Sequence, residues 1–203
     1  MGLIKAKKDS AAAAPPPSGD PLELLESRDP ADRRRAAHQL ASRPGAAAPL
    51  CARLAREDDL SVREAILTAL LRGHPPDAVP GLLPFLESED AGLRNAAIET
   101  LQQMPPDLVL PHVGALLAHE DSDVRIFTVQ LVAKLPHPER LERLTAVLDH
   151  EPHVNVCLAA VEGVVEVGRP EALPALDRLK ARFPDDPVVA FSVDAAHRRF
   201  AQG

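Results

Sequence analysis

The chain has 203 residues, 45% apolar and 2% aromatic, with neither Trp nor Tyr and a net charge of −7. This charge disfavours nucleic acid and anionic membranes as partners, because both repel a net anion. No apolar run reaches the ~18 residues of a membrane span, and the N-terminal MGLIKAKKDS lacks the apolar part of a secretory signal. We therefore expect a cytoplasmic protein. In the reducing cytoplasm Cys51 and Cys157 are expected to be buried free thiols.

Residues 1–19 contain three lysines followed by a run of Ala and Pro. This composition cannot bury enough apolar surface to fold, so we expect a disordered Ala/Pro-rich tail. Two interpretations stay open: a solvated end without a role, and a short tethering peptide that uses Leu3 and Ile4 as its apolar contact. From Asp20 a helical pattern begins, and residues 20–203 are predicted to form one repeat domain.

A helix start recurs along this domain. Acidic residues occupy the predicted N-cap positions at intervals of 30, 31, 31, 30 and 35 residues: Asp29, Asp59, Asp90, Asp121, Glu151 and Asp186. In the three central units an arginine follows four residues later, at Arg63, Arg94 and Arg125. Apolar residues then recur every three or four residues, which is the period of a helix.

A second helix is predicted in each unit, because prolines recur near the start of a further apolar segment. The predicted second helices are 46–57, 77–88, 107–118, 138–149 and 170–182. Each unit is then a helical hairpin with one apolar side, which it can bury only by stacking on a neighbour. The predicted fold is all-α, an α-solenoid of five such hairpins with a leading half-unit at 20–27 and a last helix near 187–200.

The D-x-x-V-R-x-x-A-x-x-x-L pattern, the period of about 30 residues and the proline near each second helix resemble short HEAT repeats. More narrowly, residues 20–200 resemble bacterial HEAT-like units of the phycobilisome-lyase type. This resemblance implies a ladder between repeats made by the aspartates and arginines of successive units, namely Asp59, Arg63, Asp90, Arg94, Asp121 and Arg125. It implies little about function, since HEAT-like units serve as scaffolds, lyase subunits, hydroxylases and DNA glycosylases.

Two His-Glu pairs, His119-Glu120 and His150-Glu151, lie 31 residues apart and are weak candidates for a metal site. HEAT-repeat deoxyhypusine hydroxylases bind iron through such pairs, but theirs directly follow the repeat arginine inside the first helix. Here both pairs fall in the turns between units, and Glu151 occupies a predicted capping position. We therefore expect polar turn residues, no metal and no cofactor, and we rank the hydroxylase hypothesis last.

The charges are unevenly distributed. Residues 28–72 contain nine arginines and six acids, a local charge of +3, whereas residues 73–124 contain nine acids and one arginine, a local charge of −8. The acids of the middle either cap helices and face solvent, or attract a partner protein that carries a basic segment. A DNA-glycosylase function is disfavoured, because such sites need cationic grooves and aromatic platforms.

We predict no catalytic residue, and the leading hypothesis is a non-enzymatic protein-interaction scaffold or adaptor. The second helices would supply its concave surface, with six polar candidates for partner binding: Arg53, Arg56, Glu87, His112, Arg143 and Arg178. The alternative, which rests on the family resemblance alone, is a bilin-lyase-like subunit or chaperone that acts on a tetrapyrrole-binding protein.

Overall fold

The computed structural model describes residues 19–73 and 76–202, and its regular secondary structure in these ranges is entirely helical. The predicted tail, apart from Gly19, lies outside them. In chain order the α-helices are α1 (Pro21–Leu24), α2 (Pro30–Leu40), α3 (Ala47–Leu54), α4 (Leu60–Gly73), α5 (Ala78–Leu82), α6 (Ala91–Gln102), α7 (Pro106–Leu117), α8 (Ser122–Lys134), α9 (Arg140–His150), α10 (Val154–Val167), α11 (Leu173–Arg182) and α12 (Pro187–Gln202). Even-numbered helices are the first helices of the units and odd-numbered ones are the second helices, which confirms the predicted all-α solenoid.

Aspartates start most of the first helices, as the sequence predicted. Asp29 accepts the amide of Ala31 at 2.8 Å, and Asp90 accepts that of Gly92 at 2.9 Å. Asp59 accepts two first-turn amides, and Asp121 accepts one. These bonds satisfy amides that have no partner inside the helix, and the carboxylates face the positive end of the helix dipole.

Two second helices differ from the prediction. The segment 77–88 divides into α5 and a 3₁₀ turn at Leu83–Glu87. Pro84 explains the break, since it has no N–H to donate to the carbonyl of Pro80 in an α-helical bond. The segment 170–182 likewise begins with a 3₁₀ turn at Pro170–Ala172 before α11.

The fifth unit starts two residues later than predicted. His153 is the N-cap residue of α10, so the expectation that Glu151 caps this helix was wrong. The Glu151 carboxylate instead accepts the backbone amide of His153 at 2.9 Å. In the other units the repeat arginine lies four residues after the N-cap. In the fifth unit this position is occupied by Cys157, and not by Asn155.

The helices share one continuous core of Leu, Ala and Val. It includes both free cysteines, Cys51 and Cys157. Burial raises the pKa of the Cys51 thiol to about 11, and α5 approaches α3 so closely there that a Cβ on Gly81 would lie 2.7 Å from the Cys51 Sγ. None of the described helices is long and apolar enough to cross a membrane.

The first helices do not pack equally well along the array. Helices α2 and α4 contact each other closely, as do α8 and α10. The contacts of α6 with α4 on one side and α8 on the other are much sparser. We call α2/α4 and α8/α10 the outer junctions, and α4/α6 and α6/α8 the inner junctions.

Candidate functional site

The five turns that lead into α2, α4, α6, α8 and α10 share one geometry. In each, the residue two positions before the N-cap accepts the amide of the N-cap residue with its side chain, at 2.9 to 3.2 Å. The accepting residues are Ser27, Glu57, Ser88, His119 and Glu151. This bond fixes the chain just before it enters the next first helix, so the accepting side chain occupies an equivalent position in each of these five turns. The turn before α12 differs, because the amide of Asp186 donates to the backbone carbonyl of Phe183.

An arginine in the first helix closes each of the first four turns. Arg33, Arg63, Arg94 and Arg125 each donate to the carbonyl of the residue six positions earlier, at 2.5 to 2.9 Å. These carbonyls follow the preceding second helix, where backbone acceptors lack helical partners. A guanidinium there also interacts favourably with the negative end of that helix.

At both outer junctions this arginine also binds a glutamate of the next turn. Arg33 forms two bonds of 2.7 Å with Glu57, whose side chain is 1% exposed and also binds Arg53. Burial opposes ionisation, but the bonds from Arg33 and Arg53 outweigh it and lower the pKa of Glu57 to about 2. Arg125 forms two bonds of 3.0 Å with Glu151. Burial opposes ionisation there too, and the Arg125 bonds outweigh it and lower the pKa of Glu151.

At the inner junctions the equivalent residues are Ser88 and His119, and neither arginine finds a glutamate. Arg63 reaches past Ser88 to Asp90, at 2.6 Å. Arg94 has no carboxylate partner among the described residues, and its buried Nε has no hydrogen-bond partner there. Its guanidinium instead lies 4.6 Å from the centre of the Phe127 ring, a cation–π contact.

The structure therefore brings together only one of the Asp–Arg pairs implied by the family resemblance, Arg63 with Asp90. Asp59 and Asp121 cap their own helices, and the partners of Arg33 and Arg125 are Glu57 and Glu151. Asp90 does both, because its Oδ1 caps α6 while its Oδ2 binds Arg63. At the outer junctions the residue two positions before the N-cap, Glu57 or Glu151, is the one that binds the arginine of the preceding unit.

The fifth turn is closed by different residues. Cys157, at the arginine position, donates its thiol to the carbonyl of Glu151 at 3.2 Å. Arg182 from α11 supplies the missing guanidinium and donates to the carbonyls of Leu148 at 2.5 Å and Glu151 at 2.7 Å. Sequence reasoning missed Arg182, because it belongs to a second helix and matches no repeated position.

The inner turns carry a concentration of exposed carboxylates that we call the acidic edge. It consists of Glu87, Glu89, Glu120, Asp121 and Asp123, none of which forms a salt bridge with Lys or Arg within 19–73 and 76–202. Four of these acids, all but Glu120, line a cleft of about 110 Å³ together with Arg94 and Phe127. The acidic middle predicted from the sequence is therefore concentrated on one edge, around the unpaired arginine.

Four of the six predicted partner-binding residues lie on second helices, whereas Arg56 lies in the turn after α3 and Glu87 ends the 3₁₀ turn after α5. The role of all six in binding stays a prediction. Most already bind acids of this chain. The ion pairs of the four arginines are Arg53 with Glu57, Arg56 with Glu26, Arg143 with Glu139 and Arg178 with Asp149. Glu87 Oε1 lies 3.6 Å from His119 Nε2, and His112 is half-buried on α7.

The two His-Glu pairs have structural partners. The His119 Nδ1 accepts the amide of Asp121 at 3.1 Å, and Glu151 binds Arg125, while Glu120 and His150 are exposed. Throughout the ranges that the structure describes, no group of three or more His, Cys, Asp and Glu residues is arranged to hold a metal ion. We derive no metal chemistry from these residues.

The family model of HEAT repeats matches the chain three times, over residues 20–102, 47–125 and 110–195. The chain belongs to the HEAT-repeat family. Among solved structures, this HEAT-repeat chain is similar to Cex1p, with 16% identity and a TM-score of 0.52. The match covers 85% of the chain but only 39% of Cex1p, and at this identity it shows the fold alone.

Two further solved structures are similar over most of their length. An engineered protein has 18% identity and a TM-score of 0.40, with 90% of this chain and 95% of that one covered. The complex of CpcE and CpcF of phycocyanin lyase from Nostoc sp. PCC7120 has 20% identity and a TM-score of 0.38, with 98% and 99% covered. No curated protein matches the chain.

Proposed function

We propose that this HEAT-repeat chain is a protein-interaction scaffold that binds a basic segment of its partner along the acidic edge. The observation that supports this is the set of five carboxylates on two successive turns, none bound to Lys or Arg in the described part of the chain. Acids elsewhere on the turns, such as Glu57, Asp90 and Glu151, are bound to arginines of this chain. At the acidic edge a partner's cations would therefore meet several neighbouring carboxylates without displacing an ion pair with Lys or Arg of the described residues.

Lysines and arginines of a partner would be attracted to this edge before contact. Such attraction raises the association rate more than the final affinity, and salt screens it. The cleft around Arg94 and Phe127 adds a recess in which an aliphatic stem can lie beside the ring. The bilin-lyase-like and metal-hydroxylase functions stay hypotheses drawn from the sequence.

The test compares two triple charge reversals of equal size. The edge variant carries Glu89→Lys, Glu120→Lys and Asp123→Lys, which leaves the capping residue Asp121 in place. The control variant reverses three exposed acids outside the acidic edge that form no salt bridge within the described residues, Glu23→Lys, Glu142→Lys and Glu162→Lys. Proteins captured from the native host by each variant are identified by mass spectrometry.

We expect a partner that the wild-type chain and the control variant capture and the edge variant loses. A synthetic peptide of that partner's Lys/Arg-rich segment should then bind the wild-type chain, more weakly as salt increases. Equal capture of the same partners by both variants would remove the acidic edge from the proposal, and so would a partner without a basic segment.

A further inference from the structure

The inner junction between α4 and α6 contains an open cleft of about 440 Å³. These two helices contact each other less closely than any other pair of successive first helices. Apolar side chains from both line the cleft, including Leu67, Leu71, Leu93 and Ala96. Leu60 also lines the cleft and is 75% exposed, so the cleft presents apolar surface to the solvent.

The rim of this cleft is acidic. Arg63 lies on the rim, but its guanidinium is bound to Asp90 and to the carbonyl of Glu57. The two other charged residues of the cleft, Glu64 and Glu99, are exposed. Their carboxylates take part in no salt bridge or hydrogen bond that the described residues form. The cleft therefore suits an occupant with apolar side chains followed by positive charges.

The chain itself contains such a segment. Leu3 and Ile4 are directly followed by Lys5, Lys7 and Lys8, and all five lie in residues 1–18, outside the described residues. We propose that this segment is the occupant of the α4/α6 cleft. Leu3 and Ile4 cover the apolar floor, and the lysines pair with Glu64 and Glu99.

The connection is long enough for this contact. Gly19 lies fifteen positions after Ile4, and at roughly 3.3 Å per position this stretch spans up to about 50 Å. Asp20 is bound by Arg43, at 2.8 Å, to the turn between α2 and α3. Helices α4 and α6 end at the same edge of the solenoid, one and two units further along. At about 10 Å per packed helix, the cleft then begins within ~20–30 Å of Asp20.

Attachment to the same chain makes a small contact sufficient. A segment on a short linker samples its site at an effective concentration of about 1 mM. Two apolar side chains and a pair of lysines can therefore occupy the cleft for much of the time, although the free peptide would bind weakly. This inference does not depend on the acidic edge, because the α4/α6 cleft and the cleft at the acidic edge share no lining residue.

The absence of Trp and Tyr from the sequence permits a direct test. In a full-length Leu3→Trp variant, the new indole is the single tryptophan and reports on its own surroundings. We expect blue-shifted emission relative to a free peptide of residues 1–18 with the same substitution. We also expect an acrylamide quenching constant lower by about a factor of two, which corresponds to half-occupancy at millimolar effective concentration.

Two changes to the cleft should abolish this protection in the Leu3→Trp background. Ala96→Gln fills the floor, and the Glu64→Lys and Glu99→Lys pair reverses the rim. A Glu23→Lys and Glu162→Lys pair is the control, because it makes the same change of net charge away from the cleft, and it should keep the protection.

Three results would overturn the inference. One is emission and quenching equal to those of the free peptide. Another is protection that disappears with Glu89→Lys and Asp123→Lys but survives the cleft variants, which would put the segment on the acidic edge. The third is protection that grows with protein concentration together with a dimeric mass, which would make a second copy the donor of the segment.

Discussion

The outer and inner junctions of this array use the same arginine in the same place, and they differ in one facing residue. At the outer junctions that residue is Glu57 or Glu151, the arginine is bound by two hydrogen bonds, and the first helices pack closely. At the inner junctions it is Ser88 or His119, and the first helices pack less closely. Both the acidic edge and the α4/α6 cleft are found at the inner junctions.

This difference indicates that the outer and the inner junctions have different roles in the array. A repeat arginine whose charge is matched by a buried glutamate fixes the distance between two units, because an unpaired buried charge is costly. Where the glutamate is missing, neighbouring acids face solvent and the units leave a cleft. The α2/α4 and α8/α10 junctions are thus the closely packed ones, and the two junctions between them leave clefts that other molecules can reach.

The most damaging change to an outer junction should be Glu57→Gln. It leaves Arg33, which is 7% exposed, without its counter-charge. We expect the free energy of unfolding in urea to fall by about 3 kcal/mol. Asp58→Asn removes an adjacent exposed carboxylate as a control and should change it by less than about 0.5 kcal/mol. Similar losses in the two variants would contradict the role given to Glu57.

The ion pair between Arg33 and Glu57 should also make the free energy of unfolding depend on pH. The pKa of Glu57 is about 2 in the folded chain and 4.5 ordinarily, so its ionised form is favoured by folding. Its contribution, about 3 kcal/mol, is fully present above about pH 4.5 and is lost as the pH falls towards 2. Urea unfolding of the wild-type chain and Glu57→Gln at several pH values should show their difference shrinking through this window. A constant difference would refute the assignment.

Introducing a glutamate at an inner junction should increase the stability of the chain, whereas Glu57→Gln decreases it. His119 occupies the position of Glu57 and accepts the amide of the capping residue in the same way. We therefore expect His119→Glu to bind Arg94 and to raise the free energy of unfolding by about 1 kcal/mol. His119→Gln, which keeps an acceptor but adds no charge, is the matched control and should give no gain. An unchanged or lower stability in His119→Glu would show that Arg94 cannot reach this position.

The smallest effect is expected for an exposed ion pair between units. Arg178 binds Asp149 through two bonds, but its side chain is 56% exposed. Arg178→Ala should lower the free energy of unfolding by only about 0.5 kcal/mol, and added salt should reduce the effect. Arg34→Ala, at an exposed arginine without a salt bridge in the described residues, is the control. A loss comparable to that of Glu57→Gln would remove the distinction between buried and exposed pairs.

Much of the fold could be predicted because its determinants repeat. Capping aspartates and apolar residues at helical spacing recur every 30 or 31 residues in the first four units, and prolines near the second helices recur every 31 residues in the first three. The residue that decides each junction could not be found in this way. Glu57, Ser88, His119 and Glu151 share a position but not a chemical type, so no repeated letter marks them.

The start of the fifth unit was mispredicted for a related reason. Glu151-Pro152 imitates the acid–proline helix start of Asp29-Pro30. In the structure that glutamate is bound by Arg125 of the preceding unit, and the helix begins only after His153. A contact between units therefore overrides a local capping signal, and only the three-dimensional arrangement reveals it.

The two buried thiols lie near opposite ends of the array, Cys51 in the first unit and Cys157 in the fifth. A thiol that is both shielded and held in its protonated form reacts with an alkylating reagent only when the helices around it separate. The alkylation rate of each cysteine therefore reports how often the helices around that cysteine separate. If neighbouring units of the stack separate independently, Cys51 and Cys157 of the same molecule are alkylated at different rates.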